Sequence, residues 1–450
     1  ALTDLTSHCL TADPIPVAAD FPLAALDEDG FNRLQLAPGQ VDDIYPATPV
    51  QQGLLFHSLR QRGQGVYVNQ LRVTLDGTPD IDALGRAFAA AMTRHPVLRT
   101  SFDWRHGGAA LQLVHRRVTL PIDVHDWSGR VAYEPDLADW LAADRARGFD
   151  PSVAPLMRLA LFRRPDGAHD LVWTLHHALT DGWSTARLLH EIARDYEALT
   201  GPEPAEAGIP APTPYRDYIA WLLRQPDPAP WWRAQAARIA DPAGITQVLA
   251  APAVPVAGSH RLDRPASEAL TRAVEALARR ERVTLATVLQ AAWALLLGRM
   301  AGRGQAGFGL TVSGRPADLP GVERMAGPFI NSLPLWIDLP PAARLGDWLR
   351  DIQKLNVEMR AVEHSSLADI QRLTGRSGDG LFDSLLVIES YPVETAAGAT
   401  RLGARTRAMS MVERTHYPLV LAALPRARPD LTGARLDLRW GWDGARLDGE

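Results

Sequence analysis

The chain has 450 residues, of which 46% are hydrophobic and 22% charged, and its formal net charge at pH 7 is −5. This balance is typical of a globular protein and excludes an intrinsically disordered or collagen-like chain. The 47 lysines and arginines are fewer than the 52 aspartates and glutamates and form no basic run, which argues against a nucleic-acid-binding surface.

The single cysteine, Cys9, excludes an internal disulfide and a zinc site built from cysteines, and it favours a reducing, cytoplasmic compartment. The most apolar window, 283–298, contains Thr284, Thr287 and Gln290 and is shorter than the roughly 20 residues that a membrane span needs. The first 30 residues lack the basic and apolar blocks of a signal peptide. We therefore expect a cytoplasmic protein with no membrane contact and no metal.

The predicted elements follow one another from the start of the chain. Residues 1–37 contain three prolines and no sustained hydrophobic period, so they are predicted to be a linker. Apolar residues at helical spacing predict a helix that begins after Asp80 and ends at His95, before a proline. Alternation over 171–177 predicts a strand, and an amphipathic helix is predicted to begin near Gly182.

Prolines divide the chain into two halves of mixed helix and strand character. Five of them lie between residues 201 and 214, a density that neither a helix nor a central strand tolerates. We therefore predict an N-terminal lobe over 38–214 and a C-terminal lobe over 215–450. A second irregular stretch is predicted over 242–265, and strands are predicted over 308–312 and 385–388.

Residues 302–307 match GxGxxG, the glycine pattern of dinucleotide-binding proteins. That pattern binds a pyrophosphate only when a strand precedes it and a helix follows it. Here the predicted order is reversed, because a helix ends near Met300 and a strand begins near Phe308. We interpret the glycines as a helix-to-strand turn and expect no cofactor to be bound by the domain itself.

The most informative segment is LHHALTDGWS, residues 175–184. Side chains of adjacent strand residues point to opposite faces, so one of His176 and His177 is expected to be structural and the other functional. A neutral histidine at the end of a strand can accept a proton or a hydrogen bond from a nucleophile. Asp181 fits either a helix cap or a partner for an arginine. Taken alone, the segment is better explained by two histidines satisfied within a core.

Other segments change that interpretation. HHxxxDG at 176–182 resembles the active-site motif of the condensation domains of non-ribosomal peptide synthetases, which are related to chloramphenicol acetyltransferase. Five further segments resemble the other core motifs of this family, in the family's order: DIYPATPVQQGLLFH at 43–57, RHPVLRT at 94–100, YRDY at 215–218, VSGRP at 312–316 and GPFIN at 327–331. One short motif has modest specificity, but six in register over most of the chain make the resemblance highly specific.

The resemblance implies an α/β fold of two chloramphenicol acetyltransferase-like lobes that form a V-shaped pseudo-dimer around a central tunnel. It implies that an upstream donor and a downstream acceptor carrier protein insert phosphopantetheine arms from opposite mouths. The acceptor's α-amine would attack the donor thioester and form a peptide bond. The resemblance places catalysis at His177, with His176, Asp181 and Gly182 as further active-site residues. Whether His177 acts as a general base or only orients the amine stays open.

Other roles also follow from the resemblance. Asp181 is expected to form a structural salt bridge with Arg315. Ser313, Asn331 and Trp183 are expected to line the tunnel, and the N–H of Gly182 to hold the thioester oxygen. A packing role explains Ser313, Asn331 and Gly182 equally well. The implied partners are the two carrier proteins and a neighbouring adenylation domain, with phosphopantetheine supplied by the carriers, and the excised domain is expected to be monomeric.

Details of the motifs bear on the subtype. His176 differs from the aspartate of heterocyclisation domains, and an intact His177 differs from degenerate recruiting domains. The first motif, Tyr45–His57, resembles that of domains accepting a D-configured donor, and 1–37 resembles a linker that follows an upstream domain. We expect an internal elongation domain. The alternatives are a stand-alone acyltransferase of the same superfamily that uses acyl-CoA and a non-catalytic platform that binds carrier proteins.

Overall fold

The computed structural model describes residues 16–201, 211–240, 242–249, 258–376, 381–388, 405–427 and 434–447. These residues form two compact units of helices and strands. The first unit contains residues 16–224, 315–329 and 405–415, and the second contains the other described residues from 225 onward. The predicted α/β class is confirmed. Ser313 and Asn331 belong to the second unit, whereas the LHHALTDGWS segment and Arg315 belong to the first.

The helices are α1 (Glu28–Arg33), α2 (Pro49–Arg60), α3 (Ile81–Arg94), α4 (Tyr133–Arg147), α5 (Gly182–Thr200), α6 (Tyr215–Leu222), α7 (Ala229–Ala236), α8 (Glu268–Glu281), α9 (Leu285–Ala301), α10 (Leu345–Arg360) and α11 (Leu367–Thr374). The strands are β1 (Val41–Pro46), β2 (Val68–Leu75), β3 (Thr100–Asp103), β4 (Leu111–His115), β5 (Ile122–Asp126), β6 (Met157–Arg163), β7 (His169–His176), β8 (Ser259–Pro265), β9 (Gln305–Val312), β10 (Asn331–Asp338), β11 (Ser384–Ile388), β12 (Thr406–Val412), β13 (Leu419–Ala427) and β14 (Ala434–Asp443).

The first unit contains a five-stranded sheet in the order β12-β2-β7-β6-β5 and a three-stranded sheet in the order β1-β4-β3. In the larger sheet only β5 and β6 run parallel. The apolar faces of α3 and α5 pack in one core with β7, where the rings of Phe88 and Trp173 meet edge to face at 5.4 Å. The second unit is built on a six-stranded sheet in the order β10-β9-β11-β13-β14-β8.

The strongest local predictions are confirmed. The α3 helix begins after Asp80, whose Oδ1 accepts the N–H of Ala83, and ends before His95. The predicted strand and the helix after it are β7 and α5. The predicted helix-to-strand turn is present: Gly302, which has the left-handed φ of +63°, caps the end of α9, and Gly304 precedes β9. The third glycine, Gly307, already lies within β9.

The irregular stretch predicted over 242–265 is wrong at its end, where β8 spans Ser259–Pro265. This strand lies at the edge of its sheet and is exposed along nearly its whole length. Its sequence, SHRLDRP, therefore carries no alternation of apolar and polar residues that would indicate a strand. Part of the proline-rich boundary, residues 202–210, lies outside the described residues, as do Cys9 and the first 15 residues.

The unit boundaries differ from the predicted ones. From residue 16 the segment interpreted as a linker packs into the first unit: Phe21, Phe31 and Leu34 are buried against Ile44. The first unit then continues through α6 to Arg224, and two later segments return to it. A chain that passes between units more than once cannot be divided at one point of its sequence.

Within the described ranges, no single helix is long and apolar enough to cross a membrane. One pair of consecutive helices, Glu268–Glu281 and Leu285–Ala301, together has the length and composition of a membrane span, but the two are bent by 108° relative to each other.

Candidate active site

The two histidines lie where β7 gives way to α5. β7 is hydrogen-bonded on both sides, to β2 and to β6, and His176 is its last residue. The N–H of Leu179 donates to the carbonyl of His176 at 3.0 Å, which turns the chain toward the start of α5 at Gly182. The connection between strand and helix is therefore short and anchored at both ends.

His176 is buried, and both of its ring nitrogens are occupied. Nδ1 accepts the N–H of Ala178 at 3.0 Å, so the proton of the neutral ring sits on Nε2. Nε2 lies 2.8 Å from Oγ of Ser58, whose hydroxyl donates to the carbonyl of Val66 at 3.0 Å. Burial, with a smaller contribution from the neighbouring His177, lowers the pKa of His176 to about 3. No ring nitrogen of His176 remains to contact a substrate. The contacts of His176 are therefore those of a structural residue and differ from the predicted catalytic role.

His177 has a different environment. Its backbone N–H donates to the carbonyl of Tyr67 at 2.8 Å, and Nδ1 lies 2.7 Å from the carbonyl of Thr180. Because a carbonyl only accepts, Nδ1 carries the proton of the neutral ring and Nε2 keeps a lone pair. The residue is partly exposed, and the Tyr67 ring centroid lies 6.3 Å from that of the imidazole. This is the protonation pattern that a proton acceptor at Nε2 requires.

Asp181 caps α5 and pairs with Arg315. Its side chain is 1% exposed, and Oδ1 accepts the N–H of Ser184 at 2.7 Å. Oδ2 accepts the N–H of Phe329 at 3.2 Å, and the Arg315 guanidinium lies 3.3 Å from Oδ1. The structure therefore contains the predicted ion pair together with the helix cap, two possibilities that the local sequence left open. Every contact is of a kind that holds the backbone in place.

Arg315 joins the start of α5 to the segment 315–329. One of its terminal nitrogens donates to the carbonyl of Val322 at 2.6 Å, and the other to Oγ of Ser184 at 2.8 Å. The guanidinium also lies 3.9 Å from the centroid of the Phe329 ring. Burial lowers the pKa of Arg315, which the charge of Asp181 opposes. The side chain remains a cation, because even a lowered arginine pKa stays far above neutral pH.

Ser184 is a residue that the sequence analysis missed. Its hydroxyl donates to the carbonyl of Gly327 at 2.8 Å and accepts the N–H of the same glycine at 3.1 Å. A Cβ on Gly327 would lie 2.3 Å from ring atoms of Tyr215, so only glycine fits there. The segments 175–184, 215–218 and 327–331, each of which contains one of the family motifs, therefore meet around Gly327. Their order along the chain did not reveal this contact.

Gly182 and Trp183 form the first turn of α5. As the first helical residue, Gly182 has an N–H with no intrahelical acceptor, and it lies at the positive end of the helix dipole. The predicted role of this N–H in holding an oxyanion stays a prediction. Trp183 is exposed, and its indole N–H donates to the carbonyl of Glu323 at 3.2 Å.

Ser313 and Asn331 lie at the ends of two strands of the second unit: Ser313 follows β9, and Asn331 is the first residue of β10. Ser313 is exposed just after β9. Asn331 is buried at the start of β10, and its amide donates to the carbonyls of Glu363 and Ser365 at 2.8 and 2.7 Å. These contacts fix the loop after α10, in agreement with the packing alternative. The predicted place of both residues in a substrate tunnel stays a prediction.

Residues of the first motif hold the loop that contains His177, residues 177–181 and hereafter the histidine loop, and the second motif contacts α5, which follows that loop. Gln51 is buried on α2 and donates to the carbonyl of Ala178 at 3.0 Å, while Ser58 on the same helix holds His176. In the second motif, His95 contacts the buried Glu191 of α5 at 2.7 Å. Gln51 was part of a recognised motif, but no local pattern distinguished Ser58.

Among the described residues, no group of three or more histidines, cysteines, aspartates or glutamates is arranged to hold a metal ion.

Comparison with protein families and known proteins gives matches over most of the chain. The family model described as "Condensation domain" matches residues 41–432. A linear gramicidin synthase protein of Brevibacillus parabrevis is 35% identical over 460 residues, an alignment that covers 100% of this chain and 6% of that protein. Chondramide synthase cmdD of Chondromyces crocatus is 34% identical over 468 residues, covering 94% of this chain and 12% of that protein. The chain therefore spans only a small part of these relatives.

Solved structures share the fold at low sequence identity. The first condensation domain of the calcium-dependent antibiotic synthetase, in complex with a substrate analogue, superposes with a TM-score of 0.70 at 17% identity, covering 91% of this chain and 93% of that one. A four-domain nonribosomal peptide synthetase bound to AMP and glycine gives a TM-score of 0.72 at 15% identity, covering 93% of this chain and 32% of the other.

Proposed function

The chain belongs to the condensation-domain family, and on that premise we propose that it forms peptide bonds in non-ribosomal peptide synthesis. The substrates are a donor aminoacyl or peptidyl thioester and an acceptor aminoacyl thioester, each on the phosphopantetheine arm of a carrier protein. The observation that carries the proposal is the fixed tautomer of His177, which leaves Nε2 as an acceptor on a partly exposed ring.

The chemistry asks little of the protein beyond positioning and one proton acceptor. The neutral α-amine of the acceptor attacks the donor thioester carbon. The C–N bond forms first, and the C–S bond breaks as the resulting oxyanion collapses. The proton lost by nitrogen passes to Nε2 of His177 and from there to the departing sulfur, which leaves as a thiol while His177 returns to its neutral form. Holding two tethered substrates together lowers the barrier further, because their encounter is no longer bimolecular.

The start of α5 complements this step. Charge develops on the thioester oxygen during attack, and an N–H at a helix N-terminus stabilises such an oxyanion. In the proposed mechanism Gly182 supplies this N–H, while Asp181 and Arg315 hold the turn that presents it. His176, which is hydrogen-bonded to Ser58 on α2 and to the backbone of Ala178, holds the start of the histidine loop in place. Phosphopantetheine arrives with the carrier proteins, and no other cofactor enters the step.

We further propose that the domain works inside an elongating assembly line and accepts a D-configured donor. The support is the resemblance of the first motif, Tyr45–His57, to that of such domains. A chiral centre beside the thioester directs its side chain to one wall or the other, so the wrong configuration displaces the carbonyl from His177. A displacement of about 1 Å can reduce the rate on the order of 10²-fold.

The central test is His177→Ala in a single-turnover assay with two loaded carrier proteins. Loss of a general base typically costs about 10²- to 10⁴-fold in rate, and we expect a loss in that range with an unchanged melting temperature. The matched control is His190→Ala, which removes an exposed histidine of α5 and should leave the rate unchanged. Wild-type turnover by His177→Ala would rule out the assignment.

Two substrate comparisons test the finer points. Donors that end in a D- or an L-residue are loaded by a route that bypasses epimerisation, and a D preference is expected. Equal rates or an L preference would remove the D-donor proposal and leave peptide-bond formation standing. Turnover of free acyl-CoA without any carrier protein would instead support the stand-alone acyltransferase.

A further inference from the structure

The segment that follows β12 is connected to the histidine loop by backbone hydrogen bonds through one residue, Tyr67. It pairs antiparallel with β2, from Thr406 opposite Leu75 to Val412 opposite Gln70. Past the last pair, the carbonyl of Arg414 accepts the N–H of Tyr67 at 2.9 Å. The carbonyl of Tyr67 in turn accepts the N–H of His177 at 2.8 Å. Two backbone hydrogen bonds therefore connect a distant part of the sequence to the proposed catalytic histidine.

The middle residue of this connection has an unfavourable backbone conformation. Tyr67 is buried, and its φ of +60° lies in the left-handed region that residues with a Cβ seldom adopt. Such a conformation persists only where the surrounding structure holds it, and it is found most often at functional sites. Part of what holds it here is the pair of hydrogen bonds to Arg414 and His177.

Side chains that follow β12 anchor the segment around Tyr67 from both directions. The guanidinium of Arg414 donates to the carbonyl of Gln64 at 2.8 Å, on one side of Tyr67. On the other side, the amide of the buried Asn69 donates to Glu413 at 3.3 Å. Arg414 thus holds the turn before β2, and Glu413 holds the start of β2, so the two side chains anchor the chain before and after the strained residue.

We propose that Glu413 and Arg414 are positioning residues for His177, acting through Tyr67. Their side chains hold Asn69 and Gln64 on either side of Tyr67 and so keep it in its left-handed conformation. The carbonyl of Tyr67 then fixes the backbone of His177 where β7 ends. They touch neither the imidazole nor a substrate. The effect on turnover rests on the proposed function, whereas the effect on the backbone around Tyr67 does not.

The same strand offers a matched control at its other end. Arg407 donates to Asp76 at 2.8 Å and to Asp166 at 2.6 Å. It is therefore also an arginine that ties β12 to the body of the first unit, but near the register position of Leu75, far along the sheet from His177. Its removal loosens the strand without releasing Tyr67.

The experiment compares Arg414→Ala, Arg414→Lys, Glu413→Ala and Arg407→Ala with the wild-type domain. The readouts are kcat and KM with loaded carrier proteins, the melting temperature, and amide hydrogen exchange at Tyr67 and His177. We expect Arg414→Ala to lower kcat about tenfold with little change in KM, since a small displacement of a catalytic group acts on the chemical step. Exchange at both amides should quicken, Glu413→Ala should act in the same direction, and lysine should restore most of the loss. Arg407→Ala should lower only the melting temperature.

Two results would overturn the proposal. One is an Arg414→Ala domain with wild-type kcat and wild-type exchange at His177. The other is an Arg407→Ala domain that slows turnover and speeds exchange at His177 as much as Arg414→Ala does, which would mean that β12 acts only as general support. If the wild-type domain forms no peptide bond, the proposed function fails, and the exchange data alone still decide whether Arg414 holds Tyr67 and His177.

Discussion

Two helices of the first unit begin in the same way and yet serve different purposes. Both α3 and α5 start behind an aspartate whose Oδ1 accepts the N–H of the residue three positions on, at 2.9 Å for Asp80 and 2.7 Å for Asp181. Asp80 is exposed, and its own N–H donates to the hydroxyl of Tyr196 at 2.8 Å. Asp181 is buried, and its second oxygen faces the N–H of Phe329 and the guanidinium of Arg315.

The difference shows how an aspartate that caps a helix can also serve as one partner of a buried ion pair. An exposed cap satisfies a helix terminus and typically contributes about 1 kcal/mol to the free energy of unfolding. A buried carboxylate that also neutralises an arginine is costly to remove, because its partner's charge is left inside the protein. At α5, the cap thereby ties the sequence-distant segment 315–329 to the helix that follows the histidines.

The largest expected effect is that of Asp181→Ala. Removing one partner of a buried ion pair costs about 3–5 kcal/mol, so we expect the free energy of unfolding to fall by that amount. Peptide-bond formation should fall with it, because the turn that carries Gly182 loses both its cap and its link to Arg315. Chemical denaturation and single-turnover rates on the same samples provide the measurement.

Asp181→Asn separates the two roles of the side chain. The amide oxygen can still cap α5, but the charge opposite Arg315 is gone, so stability should lie between the wild type and Asp181→Ala. A domain with Asp181→Ala that is inactive but as stable as the wild type would contradict a structural role and indicate that the carboxylate takes part in the reaction.

The buried histidine before α5 should make the stability of the first unit depend on pH. The pKa of His176 is lowered to about 3 by burial and by His177, against about 6.5 in an unfolded chain. Between these values the unfolded state binds more protons, so stability is complete above about pH 6.5 and falls on acidification. The slope reaches about 1.4 kcal/mol per pH unit, or about 2 kcal/mol by pH 5.

The test compares the pH dependence of unfolding free energy in the wild type and in His176→Gln. Burial also lowers the pKa of His115 and His364, which contribute with the same sign in both proteins. The substitution should therefore flatten the slope below pH 6.5, whatever it does to stability at neutral pH. Identical slopes in the two proteins would show that His176 is protonated in the folded state and that its hydrogen bonds are assigned wrongly.

The smallest expected effect is that of Asp80→Ala. With only a cap lost at an exposed position, the free energy of unfolding should fall by about 1 kcal/mol. Turnover should be unchanged, because Asp80 contacts neither the histidine loop nor the segment 315–329. A loss as large as that of Asp181→Ala would mean that the two helix starts are energetically alike and that the ion pair with Arg315 contributes little.

The sequence by itself determined the features that depend on neighbours along the chain. The start of α3 behind Asp80, the apolar faces of α3 and α5, the strand β7 and the turn at Gly302 all follow from residues within a few positions of each other, and all were predicted. The strand β8 was missed because an exposed edge strand needs no apolar alternation. The family was identifiable because its motifs keep their order, and with it came the expectation that Asp181 pairs with Arg315.

Only the tertiary structure decided which residues surround the histidines. Ser58 accepts a hydrogen bond from Nε2 of His176, Gln51 donates to the carbonyl of Ala178, and the carbonyl of Arg414 accepts the N–H of Tyr67 from a late segment of the sequence. No periodicity connects such positions, because their proximity depends on how α2, β2 and β12 pack around the end of β7. The difference between one histidine with both nitrogens occupied and another with a free lone pair is therefore a property of the folded chain and not of the dipeptide.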